Sequence, residues 1–232
     1  MKKPRTVAII QARMGSTRLF GKVMMNFAGR PLLAYLVERI SRSRTLDSIV
    51  VATSTNPRDN VIIEECERRG FPNFRGSESD VLGRYVSAAR ACEADIIVRV
   101  TADNPFTDPD SIDRVVDTIS CLGVDYAIEA DVPVGVTGEA LTRQALGFID
   151  SVAVTEPHRE HVTLYAKENP NALKCAFLEP RRECARPDLS FTVDVLAEYL
   201  YAREIAEHFP TTDFELKNLI SVADAANVSV RG

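Results

Sequence analysis

The stretch that most constrains this chain runs from Val7 to Lys22. Val7-Ala8-Ile9-Ile10 is an apolar run short enough for a buried strand. It breaks into Gln11-Ala12-Arg13-Met14-Gly15-Ser16-Thr17-Arg18-Leu19-Phe20-Gly21-Lys22, which carries two glycines, three cations and no acid. Glycines let backbone N–H groups approach an anion closely, and the cations neutralise it. This pattern predicts a phosphate-gripping loop after the first strand of an open α/β sheet, where such sheets put their ligands. The plainer alternative is a basic surface loop whose charges are merely solvated. A P-loop is excluded. Gly15 and Gly21 enclose five residues where four are needed, and Val23 follows Lys22, so no hydroxyl is placed for Mg²⁺. The dinucleotide fingerprint G-x-G-x-x-G is also absent.

The following segments alternate strand and helix. Pro31 to Arg42 spaces Leu32, Leu33, Leu36, Val37 and Ile40 as a helix, with Glu38 and Arg39 outside. Residues 49–54 read as a second buried strand. Asn56-Pro57 caps a helix to about Arg69, with Gly70 past its end. A short strand around Phe74, a helix from Val81 to about Cys92, a strand from Asp95 to Thr101 and a helix from Asp108-Pro109 through Ile119 follow. Such alternation predicts a parallel sheet with helices on both faces. The second half is less regular. Strands are expected at 125–128, 173–178 and 189–193, and helices at 141–152, 158–167 and 195–209, the last with Leu196, Leu200 and Ile205 inward. Residues 132–138 read as a proline- and glycine-bearing loop or ribbon, and 213–226 as a helical tail.

At 232 residues the chain fits one large domain or one domain with an appendage, and it is read as a single domain, 1–232. A net charge of −5 argues against a general nucleic-acid binder, so an anionic ligand must be drawn by local cations. The five cysteines are odd in number and form no C-x-x-C pair, which favours reduced, buried thiols over a metal or disulfide role. The basic start, Met1-Lys2-Lys3-Pro4-Arg5, leads into too short an apolar run for a secretory signal. No spanning apolar run is present. A cytoplasmic protein with no membrane partner is expected.

Two aspartates follow apolar strands: Asp103 in Thr101-Ala102-Asp103-Asn104-Pro105, and Asp194 in Phe191-Thr192-Val193-Asp194. A carboxylate just past a parallel strand's C-terminal end points into the ligand crevice. Two carboxylates at ~4 Å repel by roughly 4 kcal/mol at an effective dielectric of about 20. A divalent ion between them reverses that sign, and Mg²⁺ prefers one or two carboxylates plus substrate phosphates. Each aspartate could instead cap the following helix. Arg99 lies inside an apolar strand, which is costly unless a buried carboxylate pairs with it. His158 and His161, three apart, could share a helix face, but no third metal ligand is near. No G-x-S-x-G elbow occurs, and the first half holds no histidine, so a nucleophilic triad is unsupported.

The opening stretch resembles the signature I-I-x-A-R followed by S-T-R-L-P-G-K of cytidylyltransferases that activate sugars and sugar acids, with Phe20 in the proline's place. The spore-coat-polysaccharide type is the nearer likeness, and the sialic-acid and ketodeoxyoctonate activators are more distant. Arg75-Gly76 with Asp80-Val81-Leu82-Gly83-Arg84-Tyr85 resembles the R-G-x-x-x-D-V-L-x-R-Y block that lines the nucleotide site. Asp103-x-Pro105 resembles the metal-aspartate motif. Thr192-Val193-Asp194 resembles the second one, although Val195-Leu196-Ala197 departs from the usual Pro-Glu-Asp.

The resemblance implies a three-layer α/β/α fold of the nucleotide-diphospho-sugar-transferase type, with a mostly parallel sheet and a small irregular excursion. It implies transfer of CMP from CTP to an acidic small-molecule acceptor, Mg²⁺ as cofactor, and a homodimer. The expected catalytic residues are Lys22 and Arg13. Expected nucleotide contacts are Gln11, Ala12, Arg13, Gly15, Ser16, Arg18, Lys22, Gly76, Ser77, Asp80, Arg84 and Thr101. Asp103 and Asp194 are the expected metal ligands. Arg159-Glu160-His161-Val162-Thr163 resembles an acceptor-side motif, so Arg159, His161 and Tyr165 are expected to meet the acceptor, within a specificity region at about 130–185 that also supplies the subunit contact. The plain reading of that block is a capped amphipathic helix. Two other functions remain open at this stage: a nucleotide-sugar glycosyltransferase, whose Asp-x-Asp could only be Asp108-Pro109-Asp110, and a non-catalytic nucleotide-sugar sensor.

Overall fold

The computed structural model describes residues 3–230; Met1 and Lys2 of the basic start, and the last two residues, lie outside the described residues. The chain opens with β1 (Thr6–Gln11), whose residues 7–10 are fully buried. A short ribbon follows, β2 (Asn26–Phe27) paired with β3 (Arg30–Pro31). Its turn, Ala28-Gly29, has positive φ at both positions, as a tight hairpin requires. Next come α1 (Leu32–Ile40), β4 (Ser48–Ser54), α2 (Asn60–Arg69) and β5 (Asn73–Gly76). Gly70 ends α2 in the left-handed conformation that a residue with a Cβ resists. Then follow α3 (Val81–Ala91), β6 (Ile96–Thr101) and α4 (Pro109–Leu122). Asp80 caps α3 by accepting from Gly83 N, and Asp108 caps α4 by accepting from Ser111 N. The second half holds β7 (Tyr126–Glu129), β8 (Glu139–Thr142), α5 (Arg143–Val152), α6 (Glu156–Glu160), α7 (Leu164–Glu168), β9 (Cys175–Leu178), α8 (Leu196–Glu207) and α9 (Leu216–Val230).

Seven strands form one sheet in the order β5-β4-β1-β6-β8-β7-β9. All run one way except β8, which is antiparallel to both β6 and β7. Helices α1, α2 and α4 bury one face of the sheet, and α3 and α5 the other. A third cluster packs α8 and α9 against an aromatic group centred on Phe106, which meets Phe27, Tyr35, Phe191 and Phe214 edge-on. From β1 the chain moves outward to β4 and β5, then returns to β6 on the other side of β1. The loops after β1 and β6 therefore diverge at the switch point, where open α/β sheets hold ligands.

Several boundaries differ from the sequence reading. Residues 139–142 form β8, so Leu141 and Thr142, expected to begin a helix, lie in a strand; Thr142 caps the helix that follows. The expected helix over 158–167 is broken at 161–163 into α6 and α7. Segment 189–193 makes only one bridge, Ser190 to Val134, and is not a sheet strand. On α8 the inner face is Tyr199, Ala202, Ile205 and Ala206, while Leu196 and Leu200 are exposed. Cys66 and Cys184 are buried thiols, but Cys121 is exposed; all five are free.

Arg39 is the largest departure. Expected outside, it is completely buried. Its guanidinium donates to Thr212 O at 2.9 Å and to Asp108 at 3.3 Å, and lies 3.9 Å from the centre of the Phe214 ring. It ties α1 to α4 and to the approach of α9, so a charge on the helix's apolar face is paired, through both terminal nitrogens, with partners far away in sequence, while its Nε has none. Removing one partner of a buried pair strands the other charge. Arg39→Met should cost about 3–5 kcal/mol in urea unfolding. The double variant Arg39→Met/Asp108→Asn should recover part of that loss, because no uncompensated charge remains.

Candidate active site

The loop after β1 is held by its own backbone and by a buried acid. The Met14 carbonyl accepts from Ser16 N at 2.8 Å and Gly21 N at 3.0 Å. Met14 N donates to Asp59 Oδ1 at 2.8 Å, and Asp59 is itself fully buried beside Ser54. Gly15 lies under the Arg58 guanidinium, where a Cβ would stand 2.6 Å from Nη2. Gly21, at φ 69°, turns the chain into a short 3₁₀ turn over Lys22–Met24. These contacts stiffen the loop where Phe20, 65% exposed, replaces a proline.

At the centre, Lys22 Nζ donates to Asp103 Oδ2 at 2.8 Å, Val193 O at 2.8 Å and Asp194 Oδ1 at 2.9 Å. Arg18 Nη2 meets the other Asp194 oxygen at 2.9 Å. Backbone bonds bring the two aspartates together: Val193 N donates to Asp103 O, and Phe191 N to Val134 O, both at 2.9 Å. The Glu198 carboxylate accepts from Asp194 N at 2.6 Å and Val195 N at 3.1 Å, fixing the turn into α8. That carboxylate was not legible in the departed motif, because it arrives one helical turn later.

These groups line a cleft of about 560 Å³. Of the expected site residues, Gln11, Ala12, Arg13, Gly15, Ser16, Arg18, Lys22, Arg84, Thr101, Asp103, Asp194 and His161 line it together. Gly76, Ser77, Asp80, Arg159 and Tyr165 are not in its lining. Ser77 O accepts from the Arg84 guanidinium, and a Cβ on Gly76 would press on Arg84 Cγ at 2.9 Å, so both shape the nest of Arg84. Burial pushes the Arg84 guanidinium below its ordinary pKa. Arg159 bridges Asp80 and Asp150 with bonds of 2.7–2.8 Å, clasping α6 to α3 and α5. Tyr165 packs edge-on against His158 and Phe148. His158 pairs with Glu168 while His161 faces the cleft, so the two histidines do not share a site. Among the described residues no group of three or more His, Cys, Asp or Glu side chains could hold a metal.

The structure also adds residues. Glu160 of α6 pairs with Arg13 at 2.9 Å across the cleft. Asn104 accepts from the Thr192 hydroxyl at 2.9 Å, and Gly135, at φ 89°, lies so close that a Cβ would be 2.7 Å from that hydroxyl. This closes the 132–138 loop over the cleft. Arg99 finds the buried carboxylate its setting requires in Glu139, at 2.6 Å. Glu139 also accepts from Tyr126 OH at 2.6 Å and meets Lys167 at 3.0 Å. Asp108 and Asp110 pair instead with Arg39 and Arg181, outside the cleft lining.

Burial alone would raise the Glu139 carboxyl, but Arg99 and Lys167 hold it down to about 2. A carboxylate depressed on folding contributes stability above its unfolded pKa and loses it as pH falls through the folded value. The wild type should therefore lose about 3 kcal/mol from this group between pH ~4.5 and ~2. Glu139→Gln should be less stable at pH 7 and lack that part of the acid slope in pH-dependent urea melts.

A family model described as cytidylyltransferase matches residues 7–216 of the chain. The spore coat polysaccharide biosynthesis protein SpsF of Bacillus subtilis is 37% identical over 196 residues, covering 82% of each chain. The structure superposes on that of a cytidylyltransferase from Leptospira borgpetersenii with a TM-score of 0.91 at 30% identity, covering 97% and 96% of the two chains. It also shares the fold of a CMP:2-keto-3-deoxy-manno-octonic acid synthetase solved with CTP, with a TM-score of 0.69 at 18% identity over 88% and 99%. These neighbours are nucleotidyltransferases, and the fold is of the nucleotide-diphospho-sugar-transferase type.

Proposed function

The chain belongs to the cytidylyltransferase family, and from that premise we propose that it transfers CMP from CTP to an anionic small-molecule acceptor, a sugar acid or related metabolite, releasing pyrophosphate. The observation that carries this reading is the meeting of Arg13, Arg18 and Lys22, on a glycine loop at the sheet's switch point, with Asp103 and Asp194 in one cleft. What supports cytosine is the family and the fold neighbour solved with CTP.

In the proposed reaction an acceptor oxygen attacks the α-phosphorus in line. The new P–O bond forms as the bond to the bridging oxygen breaks, and the electron pair leaves with pyrophosphate. Such chemistry asks the protein for positioning and charge neutralisation. Arg13, Arg18 and Lys22 bind the phosphates and offset the charge gathering on the departing pyrophosphate. Arg84 supplies a further buried cation in the cleft wall. His161, Arg99 and Lys167 also line the cleft, the latter two paired with Glu139, and His161 suits a contact to an acidic acceptor. Mg²⁺ fits the donor set: Asp103 and Asp194 are hard oxygen donors that already converge on one cation, and phosphate oxygens would complete the shell. When bound, it supplies positive charge to the phosphates.

Asp108-Pro109-Asp110 is consumed in structural pairs outside the cleft, which weighs against the glycosyltransferase alternative. A sensor would keep the cleft and bind nucleotide without turnover.

A thermal-shift panel with CTP, UTP, GTP and ATP, each with and without Mg²⁺, tests the nucleotide assignment. At a hundred times its Kd a ligand adds ~2.7 kcal/mol, which for a chain of this size is roughly 5–10 °C. The largest shift is expected with CTP plus Mg²⁺. An equal or larger shift with another nucleotide would overturn the base assignment.

A further inference from the structure

Lys22 is more than a phosphate ligand waiting for its substrate. Its side chain is only 8% exposed, and its three N–H donors meet three oxygens, from Asp103, Val193 and Asp194, at 2.8–2.9 Å. That is how a cation site is filled: two carboxylates and a carbonyl converge on one positive charge. The remaining Asp194 oxygen is taken by Arg18. Two cations therefore balance the two acids before any ligand enters.

We propose that Lys22 is a built-in surrogate for the divalent ion, and that it bars the ion from Asp103 and Asp194 until a nucleoside triphosphate arrives. This rests on the metal reading above. A dication entering alone would press against an ammonium that has little water to turn to, since Lys22 is buried. Its positive charge would also be uncompensated, because the acids are already neutralised. A triphosphate changes both conditions. Its oxygens give Lys22, Arg18 and Arg13 new acceptors, and its charge balances the incoming ion. The carboxylates are released to the metal as the ammonium swings to the phosphates. Gly21 and the 3₁₀ turn at Lys22–Met24 set the root of that side chain beside both partners. Binding order is thus set by one side chain: nucleotide with metal, never metal alone. The same exchange keeps the two acids close without a metal, since their repulsion is offset throughout.

The test reads Mn²⁺ binding by electron paramagnetic resonance on the full-length protein, without turnover. The free wild type should bind Mn²⁺ weakly. Lys22→Met, which is one atom shorter, keeps an unbranched side chain and removes the charge, should bind it at least tenfold more tightly without nucleotide. Adding Asp103→Asn to Lys22→Met should abolish the gain. A folded Lys22→Met protein that binds Mn²⁺ no better than wild type overturns the proposal. The metal reading is judged separately. Wild type with a CTP analogue carrying a methylene between the α- and β-phosphorus should form a Mn²⁺ complex that Asp103→Asn removes; failure there sinks the metal assignment itself. Should Lys22→Met not fold, the wild type still decides. The ¹⁵Nζ resonance of Lys22 should be unmoved by Mg²⁺ alone and shift when the analogue is added with it. Displacement by Mg²⁺ alone contradicts the proposal.

Discussion

The site depends on one ammonium. Lys22 Nζ bonds both Asp103 and Asp194, and so joins the loop after β1, the loop after β6 and the turn into α8 at a single point. These three segments are far apart in the chain, at separations of 81 and 172 residues from Lys22. The surrounding backbone is arranged to make that meeting possible. Val193 is bonded to Asp103, Val134 to the 189–191 segment, and Asp194 to Glu198. Charge then does what hydrophobic packing cannot: it selects one spacing of two acids inside a cleft whose walls come from both halves of the sheet.

A second layer supports the first. Asp59 anchors Met14, and Met14 in turn folds the glycine loop after β1, so the loop's shape rests on an acid in the next strand–helix connection. Arg99, Glu139, Tyr126 and Lys167 form a buried ionic network at the cleft wall, in which only the Arg99 Nε lacks a partner. A network of this kind is costly when broken and rigid when complete. Glu139 sits on β8, the one strand that runs against the others, so the irregular strand is also the one that delivers this carboxylate.

Much of the architecture was legible because local signals were strong. The apolar runs of β1 and β6, the Asn56, Asp80 and Asp108 caps and the Gly70 stop each say where an element begins or ends. The placement of the glycine loop and of the two aspartates in one cleft was readable for the same reason, since each follows an apolar run. Pairings over long distances in the chain were not. Nothing local marks Glu160 as the partner of Arg13, or Thr212 and Phe214 as the reason a charged Arg39 can lie on a helix's inner face. Residues 139–142 were missed because four residues of strand run directly into an apolar helix, and the two periods merge. The placement of the 159–165 block was hidden for a related reason. A break at 161–163 turns His161 to the cleft and leaves Arg159 to clasp Asp80.

The claim that bears the most weight is that this cleft splits CTP between its α- and β-phosphates. We would incubate the protein with Mg²⁺, a panel of sugar acids, and CTP labelled in parallel at the α- or the γ-phosphorus. The account predicts that α-label passes to the acceptor while γ-label leaves as pyrophosphate, in equal amounts. Tight CTP binding with no pyrophosphate from any acceptor, or release of the γ-label as inorganic phosphate, would contradict it.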